Sequence, residues 1–204
     1  MKQLKLIIIG LSLLGYVASA QNNTNEIITW KLELLTTYDF LNTSYGTNNG
    51  FIAKGKYSLY HSKHFSFYTG IMHQNSYINE RKNKFTKHTR GYTTDVGLYA
   101  LTEIVYYPFR QRKFFMSIEP FVGATHLKSK GSLKIPRYEV SETYKNTYVY
   151  FNYGMSNSLG CRFGKFSVQL SLWSSFKGFL DKGRFRPGDF DSRIFAALGV
   201  GYSF

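Results

Sequence analysis

The chain carries a single cysteine, Cys161, in 204 residues, and only four prolines. One thiol cannot close an intramolecular disulfide, so the fold is not a disulfide-stapled scaffold. Long apolar runs are missing as well. The longest reaches from Leu6 to about Tyr16, short of the roughly 18 residues that a helix needs to cross a bilayer. If the chain spans a membrane, it must do so as a closed barrel of strands. Acidic residues are scarce, 12 Asp and Glu against 26 Lys and Arg, for a formal net charge of +14. Abundant instead are aromatic residues and glycine, with 17 Tyr, 18 Phe and 18 Gly. Barrels that alternate lipid-facing and lumen-facing residues have such compositions.

Lys2 and Lys5 flank the start of the Leu6 to Tyr16 run, and Ala18-Ser19-Ala20 follows it as a small-x-small cleavage site. Residues 1–20 therefore read as a cleaved secretory signal and residues 21–204 as one exported domain. Gln21 rather than cysteine follows the cleavage site, so nothing points to a lipid-anchored N-terminus.

Period-2 alternation divides the exported part into strands. The first is expected over about 28–40, with Ile28, Trp30, Leu32, Leu34, Tyr38 and Phe40 outward. The next three are expected over about 51–60, 65–77 and 92–106, with Phe51, Tyr57, Leu59, Phe65, Ile71, Val96, Leu98 and Ile104 outward. Strands five to seven are expected over about 114–126, 147–163 and 166–176, and the last over 192–204. Pro120, which donates no ladder hydrogen bond, predicts a bulge or a weak pair in strand five. The connections alternate. Those near 61–64, 110–113 and 164–165 are short, and those at 41–50, 78–91, 127–146 and 177–191 are long, as in an outer-membrane barrel with periplasmic turns and outer loops. Outward aromatics fall at both ends of the strands, as two girdles would.

The last strand places Ile194, Ala196, Leu198, Val200, Tyr202 and Phe204 on one face. It resembles the C-terminal targeting strand of Gram-negative outer-membrane barrels, in which a terminal Phe with apolar residues at alternate positions is read by the assembly machinery. The resemblance makes Tyr202 and Phe204 the targeting residues and the barrel assembly machinery a partner during biogenesis. The layout of the exported chain resembles the small OmpA-domain, OmpX-like and PorT-like barrel families. It implies an all-β, eight-stranded antiparallel transmembrane up-and-down β-barrel in the outer membrane, among lipid and lipopolysaccharide.

The expected inward set includes Lys31, Glu33, Asp39, Lys54, Lys56, Asp95, Glu103, Glu119, Arg162 and Arg193. Charges in a narrow lumen must pair, so a salt-bridged plug is expected rather than an open pore. Asn152 to Leu159 loosely resembles the His-x-Ser-Asn segment of lipid A deacylase barrels, with Ser156 and Asn157 on matching positions, but Gly154 stands where the general base would be. A serine without an imidazole is a poor nucleophile. No catalytic residue is therefore assigned. The His61 and His64 pair is too sparse for a metal site, and no pattern implies a cofactor.

The outer connections hold much of the positive charge. Arg81, Lys82, Lys84, Lys87 and Arg90 in the second, with Lys128, Lys130 and Lys134 in the third, are the candidates for binding an anionic ligand. Export excludes nucleic acid as that ligand. The expected role is a non-enzymatic structural or accessory envelope barrel that engages lipopolysaccharide, glycan or a partner protein. The alternatives are a lipid A modifying enzyme and a narrow channel.

Overall fold

The computed structural model describes residues 30–38, 46–80, 90–135, 139–175 and 194–204. They form β1 (Trp30–Tyr38), β2 (Gly46–His61), β3 (Phe65–Glu80), β4 (Arg90–Tyr106), β5 (Phe114–Ile135), β6 (Val140–Phe163), β7 (Phe166–Ser175) and β8 (Ile194–Ser203). Each strand pairs antiparallel with the next, and β8 returns to β1 from Lys31↔Ser203 to Tyr38↔Ala196, which closes the barrel. Phe204 N donates to Trp30 O at 2.9 Å, so the pairing runs to the last residue. Closure leaves no open edge between first and last strand, as a barrel in lipid requires.

Burial is inverted relative to a water-soluble barrel. The apolar residues Leu32, Leu34, Ile71, Leu98, Val122, Leu159, Leu170 and Leu198 are exposed on the outside, whereas Lys31, Glu33, Lys54, Lys56, Glu103 and Glu119 are buried inside. The expected parity holds strand by strand among the described residues, because a one-residue slip would turn every lumen charge toward lipid. Exposed rings form the two girdles. Trp30, Tyr57, Phe65, Tyr106, Phe114 and Phe166 lie at the turn end, with Phe51, Tyr77 and Phe151 toward the other.

The short connections are tight turns. Gly164 takes φ 62° between β6 and β7, a conformation glycine adopts without strain, and Arg112 takes φ 53° between β4 and β5. A bulge at Ser58/Tyr60 leaves both Leu59 and Tyr60 exposed. At Pro120 the register of β4 and β5 is the same on either side, Leu101↔Phe121 and Ile104↔Ile118, but the pairs between are missing. Of the two expected outcomes, a weak pair is the one realised.

Three expected connections are corrected, two of them in their bounds: β2 already begins at Gly46, inside the expected 41–50, and β3 runs to Glu80 while β4 begins at Arg90, inside the expected 78–91. Residues 127–146 are not a loop, since β5 runs to Ile135, β6 begins at Val140, and the two pair from Phe114↔Cys161 up to Ile135↔Val140. Lys128, Lys130 and Lys134 are therefore strand residues, and so is Arg90 at the start of β4. The physical reason is that alternation continues beyond the apolar zone with different chemistry. Leu127 and Ser129 stay buried while Lys128 and Lys130 face out, so no apolar stripe marks the strand. Ile28, Asp39, Phe40, Phe176 and Arg193 lie outside the described residues, as does the signal segment 1–20.

Candidate functional site

Two places in the barrel concentrate charge, the middle of the lumen and the outward faces of β5 and β6 beyond the apolar zone. The lumen cluster follows from parity. Lys31 and Glu33 point inward from β1, Lys54 and Lys56 from β2, Glu103 from β4 and Glu119 from β5. Lys56 Nζ lies 2.9 Å from Glu33 Oε2 and 2.7 Å from Glu103 Oε2, and it also reaches Glu119. Lys54 Nζ sits 2.6 Å from Glu119 Oε1, and Lys31 contacts Glu33 and lies 3.6 Å from Glu103. Gln169 Nε2 donates to Glu33 Oε2 at 3.0 Å. Three lysines balance three glutamates, so burial of the cluster leaves no net charge in the low-dielectric interior.

Aromatic layers cap the cluster at both ends. On the loop side, Trp173 stacks on Phe195 at 5.6 Å, and Phe121 lies 4.9 Å from Trp173 and 5.2 Å from Tyr99. On the turn side, Tyr68, Val105, Tyr107 and Phe115 pack together. The cations also face rings, Lys54 over Trp173 at 5.1 Å and Lys31 over Phe115 at 5.2 Å. Space for these large side chains comes from inward glycines. A Cβ on Gly160 would strike the Phe115 ring, and one on Gly154 would strike Phe121. Above the loop-side layer, Tyr99 Oη and Thr125 Oγ1 are 2.6 Å apart, and Asn152 Nδ2 donates to Tyr99 Oη at 3.0 Å. The expected salt-bridged plug is present, with apolar seals that the expectation of a polar lumen did not include.

Ser156 and Asn157 do not form a surface site. Ser156 is buried in the lumen with Oγ 3.5 Å from Glu119 Oε1, while Asn157 is exposed outside. Among the described residues no group of three or more His, Cys, Asp and Glu side chains converges as metal ligands would. His61, at the turn-side mouth, is 2.8 Å from Ser66 Oγ and contacts the Arg112 guanidinium. Burial, together with the positive charges of Arg112 and Arg162, lowers its pKa from 6.5 to about 4.

Of the expected anion-binding residues, Arg81, Lys82, Lys84 and Lys87 lie outside the described residues. Lys128 and Lys130 are exposed on the outside of β5, and Lys145 is exposed on β6 directly opposite Lys130. Lys134 pairs with Ser141, and Arg90 with Ser132. The hairpin thus brings Lys128, Lys130 and Lys145 onto one outward face. At the other end of the barrel, the ring of Tyr202 lies 4.9 Å from both Phe166 and Phe204, which seats the two expected targeting residues in the turn-side girdle.

No protein-family model matches the chain, and no curated protein matches it. Among solved structures, Ail, the attachment invasion locus protein of Yersinia pestis, is similar at 14% identity and a TM-score of 0.42, over 86% of this chain and 97% of that one. Another Ail structure, at 15% identity, TM-score 0.42 and the same shares of the two chains, holds the heparin analogue sucrose octasulfate. Neisserial surface protein A matches at 11% identity and a TM-score of 0.34, over 87% of this chain and 96% of that one. A major outer membrane protein of Thermus thermophilus matches at 11% identity and a TM-score of 0.37, over 88% of this chain and 100% of that one. Likeness at this level leaves function to be argued from the chain's own residues. Closure, inverted burial and paired aromatic girdles make this chain a small outer-membrane β-barrel.

Proposed function

We propose that this protein is a non-enzymatic outer-membrane barrel whose basic outer side binds the phosphates and carboxylates of lipopolysaccharide or another anionic surface glycan. The observation that carries the reading is the lysine face of the β5–β6 hairpin. Lys130 and Lys145 stand directly opposite each other across the strands, and Lys128 lies two residues nearer the membrane on the same face. Like charges opposite one another destabilise a pair of strands unless an anion lies between them. Arg81, Lys82, Lys84, Lys87, Arg90 and Lys134 add to the same outer side in the chain order. A protein partner in the envelope is a further ligand that such a face suits. Residues 1–20 serve as the cleaved export signal, and Tyr202 and Phe204 present the terminal strand to the barrel assembly machinery.

A channel or a deacylase has less support, because the lumen holds neutral ion pairs between aromatic layers and Ser156 faces inward. The test is retention of purified lipopolysaccharide by wild type and by a Lys128→Gln, Lys130→Gln, Lys145→Gln variant at low and moderate salt. Wild-type retention should fall as salt rises, since exposed charges are screened over about 8 Å at physiological ionic strength. The variant should retain less at low salt. Equal, salt-independent retention by both would refute the proposal.

A further inference from the structure

The turn side of the barrel carries a pattern that the outer-side reading does not use. Each of the three described turns places a cation close in the chain to an exposed phenylalanine: Lys63 two residues before Phe65, Arg110 directly after Phe109, and Lys165 directly before Phe166. Lys63, Arg110 and Lys165 are exposed, as are the three rings, with Phe109 59% and Phe166 62% accessible. One or two residues of chain correspond to roughly 3 to 7 Å, so each exposed cation lies within short reach of an exposed ring.

The three turns are laced into one collar. Arg112 Nε donates to Lys63 O at 3.3 Å, which ties the β4–β5 turn to the β2–β3 turn. Arg162 N donates to Lys113 O at 2.6 Å, and Ser203 N to Lys165 O at 2.8 Å. Recessed within the collar, the Arg112 guanidinium lies 4.9 Å from the centre of the Tyr107 ring. Every Asp and Glu among the described residues lies elsewhere. Glu33, Glu103 and Glu119 are in the lumen cluster, and Glu80, Asp95, Glu139 and Glu142 are toward the loop side.

We propose that this collar binds the phosphate groups of anionic phospholipids in the periplasm-facing leaflet, with Lys63, Arg110 and Lys165 as the contacts and Phe65, Phe109 and Phe166 as the seats for the adjoining acyl chains. A soluble anion would gain nothing from the rings, whereas a phospholipid engages ring and cation together. The inference rests on the turn side alone, so it stands or falls separately from lipopolysaccharide binding.

The chain provides its own probe. Of its two tryptophans, Trp173 is buried in the lumen, while Trp30 is exposed in the turn-side girdle. Trp30 O accepts from Phe204 N beside the strand end that meets Lys165. The full barrel would be reconstituted in vesicles of equal parts phosphatidylcholine and phosphatidylglycerol, with one or the other lipid brominated, and quenching of Trp30 fluorescence measured. Wild type should favour phosphatidylglycerol by about fivefold, the scale of one basic residue near an anionic surface. A Lys63→Gln, Arg110→Gln, Lys165→Gln variant should lose the preference, and a Lys63→Arg, Arg110→Lys, Lys165→Arg variant should keep it. If the glutamine variant does not fold, Lys165→Gln alone, next to the probe, should lower the preference. Equal quenching by both lipids in wild type, or a preference that survives loss of the three charges, would overturn the proposal. So would loss of the preference on replacing chloride by inorganic phosphate at matched ionic strength, which would assign the collar to a soluble anion.

Discussion

Two sides of the barrel differ in outward chemistry, a wall of β7, β8 and β1 and a wall of β4, β5 and β6. The strands β4, β5 and β6 reach 17, 22 and 24 residues. A tilted strand needs about 9 to 11 residues to cross the hydrocarbon, so this second, high wall continues past it. Both walls keep the same alternation of buried and exposed residues. What changes is the outward chemistry, from Leu170, Leu172, Leu198 and Val200 on the described part of the β7–β8–β1 wall to Lys128, Lys130, Thr143, Lys145 and Thr147 on the upper part of the high wall. Strand pairing therefore does not depend on lipid, and the outward side chains mark where lipid ends.

The lumen cluster joins the walls, since Lys31 and Glu33 come from the β7–β8–β1 wall and Glu103 and Glu119 from the high one, with Lys56 of β2 touching all three carboxylates. Breaking it should have the largest effect. Lys56→Met leaves carboxylates uncompensated in the interior and should destabilise the barrel by about 3–5 kcal/mol, measured as a shift of the urea unfolding midpoint in detergent micelles. Adding Glu103→Gln to it should recover part of the loss, because fewer unpaired charges remain.

Next in size is a contrast between the walls. Lysine at Leu170 or Leu198 should cost about 2–4 kcal/mol in lipid, whereas lysine at Thr143 or Thr147 should stay within about 0.5 kcal/mol. Equal losses in the two sets would show that the upper hairpin is also in the membrane. A smaller cost is expected from Gly160→Ala. The new methyl meets the Phe115 ring and the Val168 carbonyl oxygen, and overpacking of this kind costs roughly 1–3 kcal/mol, to be read from the same unfolding curves.

Much of this architecture is legible in the sequence, because the charge alternation of Lys31-Leu32-Glu33-Leu34 and Lys54-Gly55-Lys56-Tyr57 has period 2 and permits one inside. The upper hairpin is not legible in the same way. From Leu127 to Lys130 the inward residues, Leu127 and Ser129, are mixed in polarity and the outward ones are lysines, so the hydrophobic contrast that reveals a strand disappears and the segment reads as a loop. The aromatic seals were hidden for the opposite reason. Leu35, Ile52, Met72 and Trp173 sit at inward parity, where a membrane barrel is expected to be polar, and only the inward glycines hint at the large neighbours they admit. The lysine face needed the register itself, since nothing local pairs Lys130 with Lys145 fifteen residues on.

The smallest effect concerns the turn-side mouth, common to both walls. His61 has a folded-state pKa of about 4, below its ordinary 6.5. The unfolded chain therefore binds its proton more readily. The contribution of neutral His61 is complete above about pH 6.5 and declines as pH falls through 6.5 toward 4. A His61→Gln variant should show a shallower loss of stability over that window, compared by urea midpoints at each pH. Parallel profiles for the two proteins would exclude the effect.

The contrast between the walls is tested most directly by accessibility along β6. In a Cys161→Ser background, single cysteines at Thr143, Lys145, Thr147, Phe151, Met155 and Leu159 would carry a nitroxide, and collision with oxygen and with a water-soluble nickel chelate would be measured in bilayers. The expected result is oxygen-dominated relaxation at Phe151, Met155 and Leu159, changing to nickel-dominated relaxation at Thr147, Lys145 and Thr143. Nickel access at Met155 and Leu159, or oxygen dominance continuing to Thr143, would contradict a barrel whose high wall leaves the membrane partway along the strand.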